Sequence, residues 1–174
     1  VPLGNVCSKI TKGTTPTTMG GTFQESGINF LKVESIDNEG MVDINKLSYI
    51  TEAMHETLLR SQINDQDLIF SIAGAIGRVT RVTQKHLPAN TNQALAIIRL
   101  SEPFRPNVHY FYRVIRSKEF LNFNLGRVVQ TAQANVSLGV LKNAPIVLPN
   151  GKVLEKFTTS ISSLELLRDS LRLK

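Results

Sequence analysis

The sequence predicts an α/β (α+β) protein: one mixed, bent β-sheet with flanking helices, followed by a C-terminal coiled-coil-forming helix. Three observations carry that expectation. Residues 67–73, 76–83 and 93–100 are rich in Ile, Val, Leu and Thr, the residues that fit a pleated, half-buried surface. Segments with helical spacing of apolar residues lie on both sides of this β-rich middle. The tail after Gly151 switches to a seven-residue repeat.

The elements follow in order. Leu3, Val6, Cys7 and Ile10 share a helical face, and Gly13 stands where such a helix would stop. Residues 14–22, TTPTTMGGT, read as a hydroxyl-rich loop ahead of the strand-like INFLKVESI. In YITEAMHETLLRSQI, Thr51 caps a short helix, because its hydroxyl can accept from the free N–H groups of the first turn. The three β runs come next, interrupted at Gly74 and Gly77, where missing side chains permit a bend or bulge. RPNVHYFYRVIRSKEFLNFNLG is expected as one helix, begun at Pro106, with Val108, Phe111, Tyr112 and Ile115 on one face and Gly126 at its end. VSLGVLKNAPIVLP gives a helical turn capped by Ser137 and a last strand over residues 145–148.

In the tail, Leu154, Ile161 and Arg168 fall on one heptad position and Phe157, Leu164 and Leu171 on its partner, a pairing seam broken once by an arginine. A helix packed on its own domain would carry the same stripe. Its place at the end of the chain, with no stop signal, favours pairing. Residues 1–150 are therefore expected as one globular domain and residues 151–174 as a coiled-coil arm.

A chain of 174 residues fits one domain with a substantial core, or one domain plus a docking element. Its 41% hydrophobic and 20% charged residues are ordinary for a soluble protein. No window is apolar for long enough to span a membrane, and VPLGNVCSKI lacks the layout of a signal peptide, so no membrane partner and a cytoplasmic location are expected. Cys7 is the single cysteine, which excludes an intrachain disulfide and a cysteine-built zinc site and suits a reducing compartment. With no initiating Met and a mid-helix ending, the chain is expected to be processed or part of a longer one.

Net charge is +6, with a sequence pI near 9.7. Residues 78–127 hold nine basic side chains against Glu102 and Glu119, a net +7 that leaves the remainder at −1. Such concentration is the electrostatic footprint of a polyanion binder, although a solvated basic face would look the same. Catalytic motifs are missing. Gly151-Lys152 has no glycine four residues upstream, as a phosphate-binding loop requires, and His55-Glu56 is not followed by the second His of a zincin. His55, His86 and His109 are scattered, and neither a Gly-x-Ser-x-Gly elbow nor the Asn-Pro-Pro-aromatic motif of amino-methyltransferases is present. No catalytic or metal-ligating residue is expected. Gly74-Ala75-Ile76-Gly77 resembles the GXXG clamp of KH domains, which keeps an RNA-binding module as an alternative. An aromatic content of 6% with no Trp counts against base stacking.

The segments VPLGNVCSKITKGTTPT, INFLKVESID, LIFSIAGAIGRV, NTNQALAIIRL, YFYRVIRSKEF and QTAQANVSLGVLKNAPIVLP, in that order and ahead of a terminal helix, resemble the target recognition domain of the specificity (S) subunit of type I restriction-modification enzymes. One departure is NGKVLEKF after the final LP, where the family has a Pro or acidic residue and a Gln. The resemblance implies a non-catalytic subunit without a cofactor of its own. Such a subunit reads one half of a bipartite target in double-stranded DNA and docks adenine methyltransferase subunits, which hold S-adenosylmethionine. It works with a restriction motor and nuclease subunit. A second recognition domain, or a second copy of the chain joined through the terminal helix, supplies the other half. The alternatives are the recognition part of a single-polypeptide restriction-methylation enzyme, and an adaptor that acts through its terminal helix alone.

Phosphate contacts fix register, and base-edge contacts read sequence. For the first, Lys12, Lys32, Arg78, Arg81, Lys85 and Arg127 are the candidates; for the second, Thr14, Thr15, Thr17, Asn92, Gln93, Gln130, Gln133 and Asn135. Helix pairing is expected at Leu154, Phe157, Ile161, Leu164, Arg168 and Leu171. Arg78 and Arg81 point to opposite faces of a regular strand, so they are expected to meet one ligand only if the glycines bend that strand at a rim. Buried amides tying loops together would equally account for Asn92, Gln93 and Gln130.

Overall fold

The computed structural model describes residues 1–128 and 134–172; within the last helix it describes the side chains of residues 151–161 and Leu164. The strands are β1 (Cys7–Lys12), β2 (Ile28–Leu31), β3 (Ser48–Ile50), β4 (Gln62–Ile63), β5 (Leu68–Ser71), β6 (Val79–Arg81), β7 (Ala89–Thr91) and β8 (Leu95–Leu100). The α-helices are α1 (Glu52–Thr57), α2 (Val108–Ile115), α3 (Lys118–Leu125), α4 (Leu138–Asn143) and α5 (Gly151–Arg172).

The α+β class holds, but the expected single sheet is two. Among the described residues, one four-stranded sheet runs β1-β8-β5-β6 and is antiparallel throughout. The other runs β3-β2-β7-β4 and is mixed, with β2 and β7 parallel. The burial of β5 and β8 requires this division. All four residues of β5 and five of six in β8 are buried, so both faces of the first sheet need cover. On one face Phe70, Ala96, Ile98 and Leu100 pack with Phe111 and Ile115 of α2, Phe120 of α3 and Leu141 of α4. On the other, Ile69, Leu95 and Ile97 meet Leu31, Ile63 and Ala89 of the second sheet. The outer face of that sheet buries Phe30 and Ile50 against Leu58 and Met54 of the α1 region. The layers therefore run helices, sheet, sheet, helix.

Three element expectations are corrected. Residues 3–12 form a 3₁₀ turn, Leu3–Val6, and then strand β1 paired with β8. Their apparent helical stripe arises because Leu3 and Val6 on the turn and Ile10 on the strand all serve the core on the helix-covered face. The long helix breaks at Arg116–Ser117, where the Ser117 hydroxyl accepts from the Phe120 N–H and starts α3. Residues 145–148 make an isolated bridge, Pro2 to Pro145, in place of a strand, since Pro145 has no N–H to donate. The caps stand as expected. Thr51 accepts from Met54 N–H at 3.1 Å, and Ser137 from Val140 N–H at 3.1 Å.

Helix α5 begins at an Asn150 cap, whose Oδ1 accepts from Val153 N–H at 3.0 Å. Its first turns pack back on the domain: Leu154 is buried, and Phe157 stands edge-on to Tyr110 with ring centroids 5.4 Å apart. The Thr158 hydroxyl donates to Asn107 Oδ1 at 2.8 Å. Leu154 and Phe157 thus seat the helix on its own domain. Ile161 is half-buried and Leu164 exposed, whereas the side chains of Arg168 and Leu171 lie outside those described.

Candidate nucleic-acid interface

The strand registers decide which loops share an end. In the first sheet Lys12 pairs with Ala96 and Ser71 with Leu95, so the end of β1, the end of β5 and the start of β8 coincide. In the second, Leu31 pairs with Thr91 and Gln62 with Asn90, which brings together the ends of β2 and β7 and the start of β4. Residues 92–94 link β7 to β8 directly, so both sheets present these loops on one rim. There lie Lys12, Thr14, Thr15, Thr17, Lys32, Asn92 and Gln93. Asn135 joins them through its bridge to Ala73, while Ile72 N–H donates to the Ala94 carbonyl at 2.8 Å.

The Thr-rich loop is fastened to this rim. Gly13 N–H donates to the Leu95 carbonyl at 3.3 Å and Thr14 N–H to the Thr91 carbonyl at 3.0 Å. The contact is so close that a Cβ on Gly13 would lie 1.9 Å from the Thr91 oxygen. The Thr15 hydroxyl donates to the Gln93 amide oxygen, and Asn92 Oδ1 accepts from Ala94 N–H at 3.1 Å. Asn92 therefore shapes its turn, as the loop-tying alternative holds, while Gln93 remains exposed. Lys32 rests its ammonium 4.1 Å from the Phe23 ring centroid.

Arg60 is the residue that sequence reasoning missed. It sits on the 3₁₀ turn Leu59–Ser61 that leads into β4, is exposed, and donates from Nη2 to the Thr14 hydroxyl at 2.8 Å. Burial, together with the charges of Arg99 and Arg60, holds the Lys9 ammonium below its ordinary value. As a lone arginine in LLRS outside the basic block, Arg60 gave no sequence signal. Its relevance comes from the register of β4 against β7.

Other expected residues are placed differently. Gly74 and Gly77 take positive φ, +71° and +94°, and form the expected bend between β5 and β6. Because this bend joins two antiparallel strands, where a KH clamp joins helices, the resemblance to that clamp ends at the two glycines. Arg78 is at the rim but turned inward, donating from Nη1 to the carbonyls of Val33 at 3.1 Å and Ile36 at 2.8 Å. Arg81 faces the other way, at the far end of β6, and donates to Gln66 Oε1 at 3.1 Å. Lys85, on the turn between β6 and β7, shares that far end. The two arginines do not converge, because the bend precedes both and the regular alternation of β6 separates them. Arg127 stacks 3.7 Å over the Phe123 ring and donates to the Phe123 carbonyl. Gln130 and Gln133 lie outside the described residues.

The +7 block is likewise no single face. Arg99 makes a paired contact with the buried Asp67, Nε to Oδ1 at 2.8 Å and Nη2 to Oδ2 at 2.7 Å, which raises its pKa. Arg105 pairs with Glu102 at 3.0 Å, and Arg116 donates to the backbone carbonyls of Asn38 and Glu39. Contiguous charge in the sequence is distributed over both ends of the sheet. Among the described residues there is no cluster of His, Cys, Asp and Glu able to hold a metal, and no helix is long and apolar enough to cross a membrane.

This arrangement defines a class: an α+β domain that presents polar and basic side chains on loops at one rim. The comparisons with known proteins name the family it resembles. The chain is 28% identical over 148 residues to the type I restriction enzyme EcoBI specificity subunit of Escherichia coli, a match covering 84% of this chain and 30% of that protein. Its fold matches the HsdS subunit from Thermoanaerobacter tengcongensis with a TM-score of 0.66 at 18% identity, over 99% of this chain and 43% of that one. A chain from a solved type I R-M system matches with a TM-score of 0.67 at 20% identity, over 99% of this chain and 42% of that one. No protein-family model matches. The chain spans less than half the length of each of these relatives. In sequence it is similar to part of a type I restriction enzyme specificity subunit, the family that the quoted segments implied, and in fold to part of an HsdS subunit.

Proposed function

We propose that this chain is the DNA-reading, non-catalytic part of a specificity subunit of a type I restriction-modification system, recognising one half of a bipartite target in double-stranded DNA. The observation that supports this reading most is the convergence of Lys12, Thr14, Thr15, Lys32, Gln93 and Asn135 on one rim by two independent sheet registers. Lys12, Lys32 and Arg127 are the phosphate contacts, and Thr14, Thr15, Thr17, Gln93 and Asn135 face the bases, with Gln130 and Gln133 assigned from the sequence. Arg78 and Asn92 serve by holding the rim together. Arg81 and Lys85 stand at the opposite end, so they are withdrawn from this interface.

Residues 1–150 then act as the recognition domain. Residues 151–174 act as an arm whose pairing seam starts at Ile161, after Leu154 and Phe157 have docked it. The partners are adenine methyltransferase subunits carrying S-adenosylmethionine, a restriction motor and nuclease subunit, and a second recognition domain or a second copy of the chain. The setting is the cytoplasm. Titration with duplex DNA over a range of salt tests the core of this proposal. With about three phosphates neutralised, one by each of Lys12, Lys32 and Arg127, log affinity falls with log salt at a slope of roughly −2.7. A slope near zero, or tighter binding to single-stranded RNA than to duplex DNA, refutes it.

A further inference from the structure

Two consecutive threonines on the rim each hold one long polar side chain from a different sheet. Thr14 accepts from Arg60, which belongs to the turn entering β4, and Thr15 donates to Gln93, which belongs to the link into β8. Arg60 and Gln93 are both exposed. Among the described residues Arg60 pairs with no carboxylate, whereas Arg99 and Arg105 do. A guanidinium seated on one neutral hydroxyl keeps its charge and most of its N–H donors for a ligand. The Gln93 amide, which accepts one bond from Thr15, keeps a second lone pair and both N–H donors. These are the two groups that read bases in pairs of hydrogen bonds: arginine on the O6 and N7 of guanine, glutamine on the N6 and N7 of adenine. A preformed seat also lowers the ordering cost of a long flexible side chain on binding.

We propose that Arg60, seated on Thr14, reads a guanine, and that Gln93, seated on Thr15, reads an adenine close to it in the same half-site. The spacing supports closeness: neighbouring Cα atoms lie about 3.8 Å apart, and successive bases of one DNA strand about 3.4 Å apart. In this scheme Thr14 and Thr15, given above as facing the bases, act as positioning residues and leave the base contacts to Arg60 and Gln93. The inference rests on the DNA-reading function proposed above and specifies its base contacts.

The test is enrichment of a randomised duplex pool by the full-length polypeptide that carries this chain, followed by sequencing of the bound DNA. Wild type is expected to enrich a motif with a guanine and an adenine no more than two positions apart. Arg60→Ala and Arg60→Lys should each lose preference at that guanine by about ten- to a hundredfold, because a lysine keeps the charge but not the paired donors. Gln93→Ala should relax the adenine alone, and Thr14→Val should weaken the guanine preference in part while Arg60 remains. Circular dichroism is expected to show the same fold in all variants, since Arg60 and Gln93 are exposed. A motif that survives Arg60→Ala unchanged overturns this inference and leaves the proposed function standing. Arg60→Ala weakening every duplex alike, with Arg60→Lys restoring it, also overturns it by making Arg60 a phosphate contact. A wild-type protein that enriches no motif overturns both.

Discussion

Gly13→Ala is the sharpest probe of the rim, because the fastening of the Thr-rich loop leaves no room for a methyl group. The added Cβ would stand 1.9 Å from the Thr91 oxygen, 2.4 Å from the Thr91 carbonyl carbon and 2.5 Å from the Asn92 oxygen, all of them backbone atoms. An ordinary contact begins at 3.4 Å, so the loop must retreat by about 1.5 Å at the first of these atoms. That retreat stretches the Gly13 to Leu95 bond, 3.3 Å, and the Thr14 to Thr91 bond, 3.0 Å, beyond hydrogen-bonding range. Each lost bond costs about 1 kcal/mol, more where a group such as the fully buried Thr91 is left unpaired. The expected loss is about 2–4 kcal/mol, read by urea unfolding, with a fall of roughly 5–15 °C in Tm for a chain of this size. Duplex affinity should fall as well, because Thr14 and Thr15 move with the loop. Gly139→Ala is the internal control. Its Cβ meets the Ser137 hydroxyl at 3.7 Å and nothing closer, so it should gain up to about 1 kcal/mol in α4. Gly13→Ala costing less than about 0.5 kcal/mol with unchanged affinity would refute the argument that this contact fixes the rim.

Asp67→Ala should destabilise the protein by about 2 kcal/mol in urea, since it leaves the half-buried Arg99 guanidinium without its carboxylate and frees the Asn64 N–H that the buried Asp67 also caps. His86 is buried, and desolvation, with the charges of Lys85 and Arg81, lowers its pKa. Its contribution to stability is therefore complete above the ordinary histidine value of about 6.5 and is lost as pH falls through the depressed folded value. Unfolding free energy should decline below about pH 6.5, and His86→Gln should flatten that decline. Sedimentation should show concentration-dependent association of the chain, abolished by Ile161→Asp with Leu164→Asp. A monomer at high concentration, unchanged in the double variant, would remove the pairing proposal.

The strands of the double-buried core were legible because β5 and β8 are continuous apolar runs, and the helix starts because Thr51 and Ser137 stand where caps are needed. The second sheet was not. β3 and β7 have three residues and β4 has two, too short to show a period of two, and their pairing is set by partners 18 to 60 positions apart, such as Phe30 with Ser48 and Leu31 with Thr91. The rim residues were legible by type, since loops rich in Thr, Asn and Gln stand out from apolar runs. Their assembly was legible only from register. Charge misled for the same reason: residues 78–127 pass from the rim to the far end and back, so a block in sequence becomes several sites in space. Arg78 and Arg99 are tied to their own fold by carbonyls and a carboxylate that no local pattern announces.

The register places the rim and the seat of α5 at opposite ends of the first sheet. The rim gathers the start of β8, whereas α5 docks on α2 and on the turn Arg105–Asn107, which follow the other end of that strand. The six residues of β8 separate the two by about 20 Å. A helix with its direction set by Leu154, the Phe157–Tyr110 contact and the Thr158–Asn107 bond transmits that offset rigidly. Its 22 residues extend for about 33 Å. Under the proposed pairing, a partner bound along α5 leaves the rim uncovered, and two rims joined through such helices are held at a distance fixed by helix length and seat, independently of the bases each one reads. Base choice then resides in loops such as Thr14–Arg60 and Thr15–Gln93, and the spacing between half-sites resides in α5, so changes in one need not disturb the other.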